Sequence, residues 1–240
     1  MRFDLASFTD PGGRNSNEDR LVLVAHRRLI AGIVADGAGG LGGGDVAAQL
    51  VVDTMRDVLR DCATRGESVE TGQLADAMLA ANRAIVDAQS AGSTRERMRS
   101  TAAILTIDPQ GAHANWAHCG DTHIYCFRNG RIVLQTLDQG SAQPYRLRSV
   151  MHTALGTDDE LKIEAARVPF PIEDGDAFLV CSDGFWEHLD EASMIDSIDD
   201  AGDAASWLAA LAARARRNAP AGADNLSAIA LWAGAPRVSR

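Results

Sequence analysis

Six acidic side chains of this 240-residue chain stand where apolar runs begin or end. Asp36 closes LIAGIVA (29–35), Asp183 follows DAFLVCS (176–182) and precedes Gly184, and Asp121 occupies the turn of AHCGD. Asp224 comes just before LSAIALW (226–232), while Glu18 and Asp19 end RNSNED, directly before RLVLVA (20–25). If those runs are strands of two packed sheets, the carboxylates can meet on one rim although they are scattered along the chain. Like charges that close cannot all stay ionised unaided: either their pKa values rise or cations neutralise them. Oxygen donors without a convergent His or Cys select a hard, octahedral ion, Mg²⁺ or Mn²⁺. Calcium would favour a contiguous DxDxDG loop, and zinc would favour nitrogen or sulfur. Two such ions ~3.5–4 Å apart lower the pKa of a shared water and stabilise charge on phosphoryl oxygens during in-line attack. Arg14, close before Glu18 and Asp19, supplies a planar fork that matches two phosphate oxygens.

The glycine-rich stretch after Asp36 offers a competing chemistry. Gly37, Gly39 and Gly42 spell GxGxxG between a strand-like run and a helical one. A dinucleotide site, however, needs a second parallel strand soon after the first helix, with an acid at its end. Here a second helical pattern follows instead, and Asp36 would repel a pyrophosphate. The glycines read better as a tight turn that lets backbone approach closely.

Those residues must be positioned by regular elements. Runs 20–25 and 29–35 form a hairpin around AHRR, and Asp45 to Arg60 carries Val46, Leu50, Val51, Met55, Val58 and Leu59 at helical spacing, with Asp45 suited to the N-cap. Leu74 to Ala88 is a second helix. TAAILTI (101–107), AHANWAH (112–118), THIYCFR (122–128) and RIVLQTL (131–137), joined by DPQG, CGD and NG, predict a four-strand antiparallel meander. LKIEAARVPF, strand 176–182, an Ala-rich helix near Ala204 to Arg217 and the strand 226–232 complete the chain. Hairpin strands with paired helices favour antiparallel sheets covered by helices over a parallel βαβ sheet. No repeat or linker interrupts residues 1–240, which read as one domain.

Composition narrows the partners. A net charge of −10 disfavours nucleic acid and anionic membrane. With no signal-like or membrane-spanning apolar segment, the expected location is cytoplasmic. Cys62, Cys119, Cys126 and Cys181 lack metal-ligand spacing and are expected as buried free thiols. His118 and His123 read as structural or exposed, Trp116, Trp186 and Trp207 as packing residues, and RARR (214–217) as a solvated helix end.

TDPGGRNSNED, VADGAGGLGGGDVA, the Ser-Thr of RSTAAILT, CGDTHIYCFRNG, the ALG of HTALG, EDGDAFLVCSDG and ADNLSAIAL, in that order, resemble the metal-dependent serine/threonine protein phosphatases of type 2C, in their bacterial form. The resemblance implies an α+β fold, a four-layer α-β-β-α sandwich of two antiparallel sheets flanked by helix pairs. It implies two Mn²⁺ or Mg²⁺ ions at one edge, with Asp36 bridging them and the Gly37 carbonyl binding one. Asp183 and Asp224 would complete the carboxylate set, Glu18 and Asp19 would hold metal-bound waters or touch a metal, and Arg14 would grip the substrate phosphate. Asp121 with Asp183 matches a weaker third metal site, and Asn225 would position its neighbouring Asp. The implied partner is a phosphorylated protein, a Ser/Thr kinase or its targets, with the enzyme acting as a monomer.

The chain departs from that family at three places. Ala38 replaces a His two positions after the bridging Asp, so the proton for the leaving alkoxide would come from a metal-bound water. The spacing from Gly12 to Arg14 is short by one residue. The flap near 138–154, DQGSAQPYRLRSVMHT, is shortened, and its Arg146, Arg148 and His152 read as solvated loop residues. A phosphoprotein-binding scaffold that has lost catalysis, and a small-molecule phosphoesterase, are the alternatives.

Overall fold

The computed structural model describes residues 1–38, 42–91, 98–139 and 153–234. Gly39 and most of the 138–154 segment, with Arg146, Arg148 and His152, lie outside the described residues.

One sheet has the strand order β1 (Phe3–Asp10), β11 (Leu226–Ala233), β10 (Ala177–Cys181), β6 (His123–Arg128), β7 (Arg131–Gln135). The other runs β2 (Arg20–His26), β3 (Leu29–Ala38), β4 (Arg99–Asp108), β5 (His113–Cys119), β8 (Glu164–Ala165), with β9 (Phe170–Pro171) also pairing β5. Neighbouring strands are antiparallel in both sheets. Helices α1 (Gly44–Arg65) and α2 (Thr71–Ser90) cover the second sheet; α3 (Asp183–Trp186), α4 (Glu191–Asp199) and α5 (Ala204–Asn218) cover the first. The result is the four-layer α-β-β-α sandwich that the motif order implied.

The alternation of strand side chains makes these layers. On β3, Ile33 points outward to Val51, Met55, Leu74 and Met78 of the helices, whereas its neighbour Val34 points inward. There Val34 joins Leu105, Ile124, Phe178, Val180 and Ile229 in the apolar seam between the sheets. The outer face of the first sheet packs Phe127, Leu179 and Ala230 against Trp207, Leu208 and Leu211. Each fully buried side chain of this size contributes roughly 1.5–3 kcal/mol, so the seam and the helix layers fix both sheets' register.

Two local expectations are corrected, and one strand is added to those the sequence predicted. The four runs from β4 to β7 are not one meander: β4 pairs with β5 in one sheet and β6 with β7 in the other, so the CGD turn crosses between sheets. Gly120, at φ +99°, turns tightly over Thr101, a conformation costly for any residue with a Cβ. Asp45 is not the N-cap of α1; Gly43, left-handed at φ 105°, holds that position, and Asp45 lies in the first turn, where its charge still suits the helix dipole. β1 went unassigned in the sequence because Asp4 and Asp10 break its apolar run, yet it pairs with β11 along eight residues, Phe3 against Ala233 through Asp10 against Leu226.

All four cysteines are buried free thiols. Among the described residues no helix is long and apolar enough to cross a membrane.

Candidate metal centre

The acidic rim lies where β3 ends beside β4 and α1 begins. Asp36 pairs with Thr101 and Gly37 with Ser100, whose hydroxyl donates to the Asp36 carbonyl at 2.9 Å. Gly37 tolerates no side chain: a Cβ there would collide with the Gly44 carbonyl and stand 2.8 Å from the Glu18 carbonyl. A Cβ on Gly44 would in turn strike Glu18 Oε2. These two glycines let the strand end, the helix start and the Glu18 backbone occupy one corner.

The loop from Pro11 to Asp19 is fastened to the start of β11. Gly13 N–H donates to the Ala223 carbonyl at 2.9 Å, and a Cβ on Gly12 would collide with the Asp224 carbonyl. Asn225 is the clamp: its Nδ2 donates to the Pro11 and Ser16 carbonyls, both at 2.9 Å, and its Oδ1 accepts from Glu18 N–H at 2.8 Å. Its own backbone N–H donates to Asp224 Oδ1 at 2.9 Å. The side chain thus orders the Glu18 loop, while Asp224 is oriented by the backbone. Arg14 Nη2 reaches Asp224 Oδ2 at 2.9 Å, with both side chains about half exposed.

Asp19 is buried and accepts from Ser182 Oγ at 2.9 Å, with Ser227 a second donor. Asp183 opens α3, and Gly184 N–H donates to its Oδ1 at 2.5 Å. Asp121 lies in the sheet-to-sheet crossover, and Trp186 Nε1 donates to its carbonyl at 2.9 Å. The crossover is also tied by Thr101 and Thr122, whose hydroxyls meet at 2.5 Å, and by buried Gln139, which exchanges bonds with Gly120. Ser182, Ser227, Trp186 and Gln139 were not singled out as site residues. Isolated Ser and Gln in strands and loops carry no periodic signal, because their roles arise from contacts distant in sequence.

The electrostatics join these carboxylates. Burial pushes Asp36 well above the usual carboxylate range, helped by the charges of Asp183, Asp19 and Asp121 and by a hydrogen bond with Asp183. Burial raises Asp19 to about 6 despite its serine donors, with Asp183 and Asp224 adding to the rise. Asp121 rises to about 7, first through burial and then through Asp183 and Asp138. Glu18 is raised by burial and by Asp45 and Asp224, with Arg14 and Arg20 opposing. All six acids singled out in the sequence therefore belong to one chain of mutual repulsion.

That arrangement fits hard divalent cations. Its donors are oxygens, and Asp19 Oδ1 and Asp121 Oδ1 are buried without a hydrogen-bond partner. Such orphaned anionic oxygens cost free energy until a proton or a cation satisfies them. Among the described residues, however, no three His, Cys, Asp or Glu side chains already stand together as a group that could hold a metal ion.

The histidines of the crossover are structural. His118 is buried with Nε2 3.2 Å from Glu164 Oε2, and His123 is buried against Trp186, ring centroids 4.5 Å apart. Arg216 of the RARR segment pairs with Asp10 and lies over the Phe8 ring, 4.9 Å from its centroid, so part of that segment is packed rather than purely solvated.

Residues 14–228 match the family model described as Protein phosphatase 2C. A serine/threonine protein phosphatase, PstP, of Mycobacterium tuberculosis is 28% identical over 235 residues, covering 90% of this chain and 42% of that protein. The chain thus spans less than half the length of this relative. The serine/threonine phosphatase stp of Listeria innocua is 27% identical over 202 residues, covering 77% of this chain and 75% of that protein. The solved catalytic domain of a PstP phosphatase, in complex with two manganese ions, superposes with a TM-score of 0.79 at 26% identity, covering 97% of this chain and 99% of that one.

Proposed function

The chain belongs to the protein phosphatase 2C family, and from that premise we propose that it hydrolyses phosphoserine and phosphothreonine in proteins, opposing a bacterial Ser/Thr kinase. The observation that carries this reading is the convergence of Asp36, Asp183, Asp19 and Asp121 from β3, α3, the N-terminal loop and the crossover into one repelling cluster. Arg14 and Arg20 offset charge only at its Glu18 and Asp224 end, so bound cations or protons are what can balance the rest.

Two Mn²⁺ or Mg²⁺ ions would supply Lewis acidity toward the phosphoryl oxygens and a water of lowered pKa. Asp36, the Gly37 carbonyl, Asp183 and Asp224 are the residues to hold them, with Glu18 and Asp19 orienting the solvent around them and Asp121 with Asp183 serving a weaker third. Arg14, half exposed beside Asp224, would exchange that carboxylate for substrate phosphate, where its fork would make charge-assisted bonds. Asn225 fixes the backbone on which Glu18 stands. Ala38 can neither donate nor accept a proton, so the leaving alkoxide receives none from that position. That residues 1–240 form one phosphatase domain, acting in the cytoplasm as a monomer without nucleic-acid or membrane partners, belongs to the same proposal.

The test is turnover of a phosphothreonine peptide, compared with p-nitrophenyl phosphate, with and without Mn²⁺. Manganese-dependent hydrolysis that favours the peptide is expected. No turnover of either substrate would leave a phosphoprotein-binding scaffold, and preference for the small ester would point to a small-molecule phosphoesterase.

A further inference from the structure

The short helix α3 carries two residues that face the crossover. Asp183 opens it and is the largest charge acting on Asp121, while Trp186 closes it and donates its indole N–H to the Asp121 carbonyl at 2.9 Å. The turn itself is stiff, because Trp186 N–H bonds back to the Ser182 carbonyl and Glu187 N–H to that of Asp183. The indole cannot swing away freely, since it lies nearly parallel to the His123 ring, 4.5 Å between centroids and 21° between planes. His123 is buried and begins β6, directly after the crossover. One aromatic side chain therefore links the backbone of one acid to the helical turn that carries the other. Asp121 Oδ1 is buried with no hydrogen-bond partner among the described residues, so the indole bond to the main-chain carbonyl is what ties this residue to α3.

We propose that Trp186 is a positioning residue: its indole N–H sets the distance between Asp121 and Asp183 and thereby the affinity with which this pair shares a divalent cation. The inference rests on the metal-centre reading above. Like charges brought to a fixed separation by a hydrogen-bonded frame bind a cation without first having to approach each other. Loosening the frame lets them drift apart, and each binding event must then order them again.

The experiment is Mn²⁺ titration by isothermal calorimetry on wild type, Trp186→Phe, Asp121→Asn and the double variant, with melting temperatures measured metal-free. Asp121→Asn identifies the binding step to which that carboxylate contributes. Trp186→Phe keeps an aromatic ring against His123 but removes the donor, and it should weaken the same step by about three- to tenfold, the worth of one hydrogen bond. The double variant should bind no more weakly than Asp121→Asn alone, because placing a carboxylate that is gone gains nothing. Replacing Trp186 by 3-benzothienylalanine, which exchanges the N–H for sulfur at nearly constant shape, should reproduce the loss of affinity with only the small fall in melting temperature that one lost hydrogen bond brings. Independent, multiplicative effects of the two substitutions, or an unchanged isotherm for the benzothienyl protein, would overturn the proposal. If wild type and Asp36→Asn both bind no Mn²⁺, the metal-centre reading itself fails, an outcome distinct from tight binding that ignores Trp186.

Discussion

Arg14 and Asp224, 210 positions apart in sequence, form an ion pair of 2.9 Å at the rim of the acidic cluster. The pair is half exposed and so contributes little to stability, roughly 0–1 kcal/mol at most. Its importance is positional. The guanidinium stands beside a carboxylate that the metal reading assigns to a cation, free to exchange one anionic oxygen for another.

Arg14→Ala should therefore leave the melting temperature nearly unchanged while lowering kcat/KM on a phosphothreonine peptide by about 10- to 100-fold, the worth of one or two charge-assisted bonds. Steady-state kinetics at saturating Mn²⁺ decide this. Wild-type kcat/KM in the variant would remove Arg14 from phosphate recognition.

Asp36→Asn should abolish turnover and also raise the melting temperature of the metal-free protein at pH 8. Burial and the charges of Asp183, Asp19 and Asp121 penalise an ionised carboxylate at this position, a penalty that Asn does not carry. Differential scanning fluorimetry with EDTA reads the second effect without reference to catalysis. A lower melting temperature would mean that the carboxylate stabilises the fold and is not under repulsion.

The cluster makes metal-free stability depend on pH in a stated direction. Asp19 and Asp121 have folded pKa values of about 6 and about 7 against 3.8 for the free side chain, so the folded state retains protons that the unfolded chain has released. The stability this contributes is full below the unfolded value and is lost as pH rises through the folded values. The metal-free melting temperature should accordingly fall between pH 5 and pH 8, and the gain on adding Mn²⁺ should grow over that range. A flat or rising profile in EDTA would contradict the raised values.

Asn225→Ala removes one acceptor and two donor bonds from a buried side chain, leaving the Pro11 and Ser16 carbonyls and Glu18 N–H without this partner. We expect a loss of about 1–3 kcal/mol in chemical denaturation, together with weaker Mn²⁺ binding. Unchanged stability would show that water replaces the clamp without cost.

Much of this was legible in the sequence because it is local. The short apolar runs RLVLVA and LIAGIVA on either side of a basic turn specified a hairpin, the 3.6-residue period of Val51, Met55 and Leu59 specified α1, and acids at the ends of apolar runs specified a rim of hard oxygen donors. The CGD turn misled for an equally physical reason. A tight turn between two strand-like runs looks the same whether the second strand pairs with the first or crosses to the other sheet. Only the partners available to β5 and β6, namely β8 and β10, decide between them.

By itself, then, the sequence determined the donor chemistry, the elements and the order of the motifs, since residue type and periodicity are properties of neighbours along the chain. The tertiary structure alone decided that Ser182 and Ser227 hold Asp19, that Asn225 binds the Glu18 loop more than its neighbouring Asp, and that Trp186 fastens Asp121. Those relationships join residues up to 214 positions apart. They exist only once antiparallel pairing and the apolar seam have brought the strand ends to one edge.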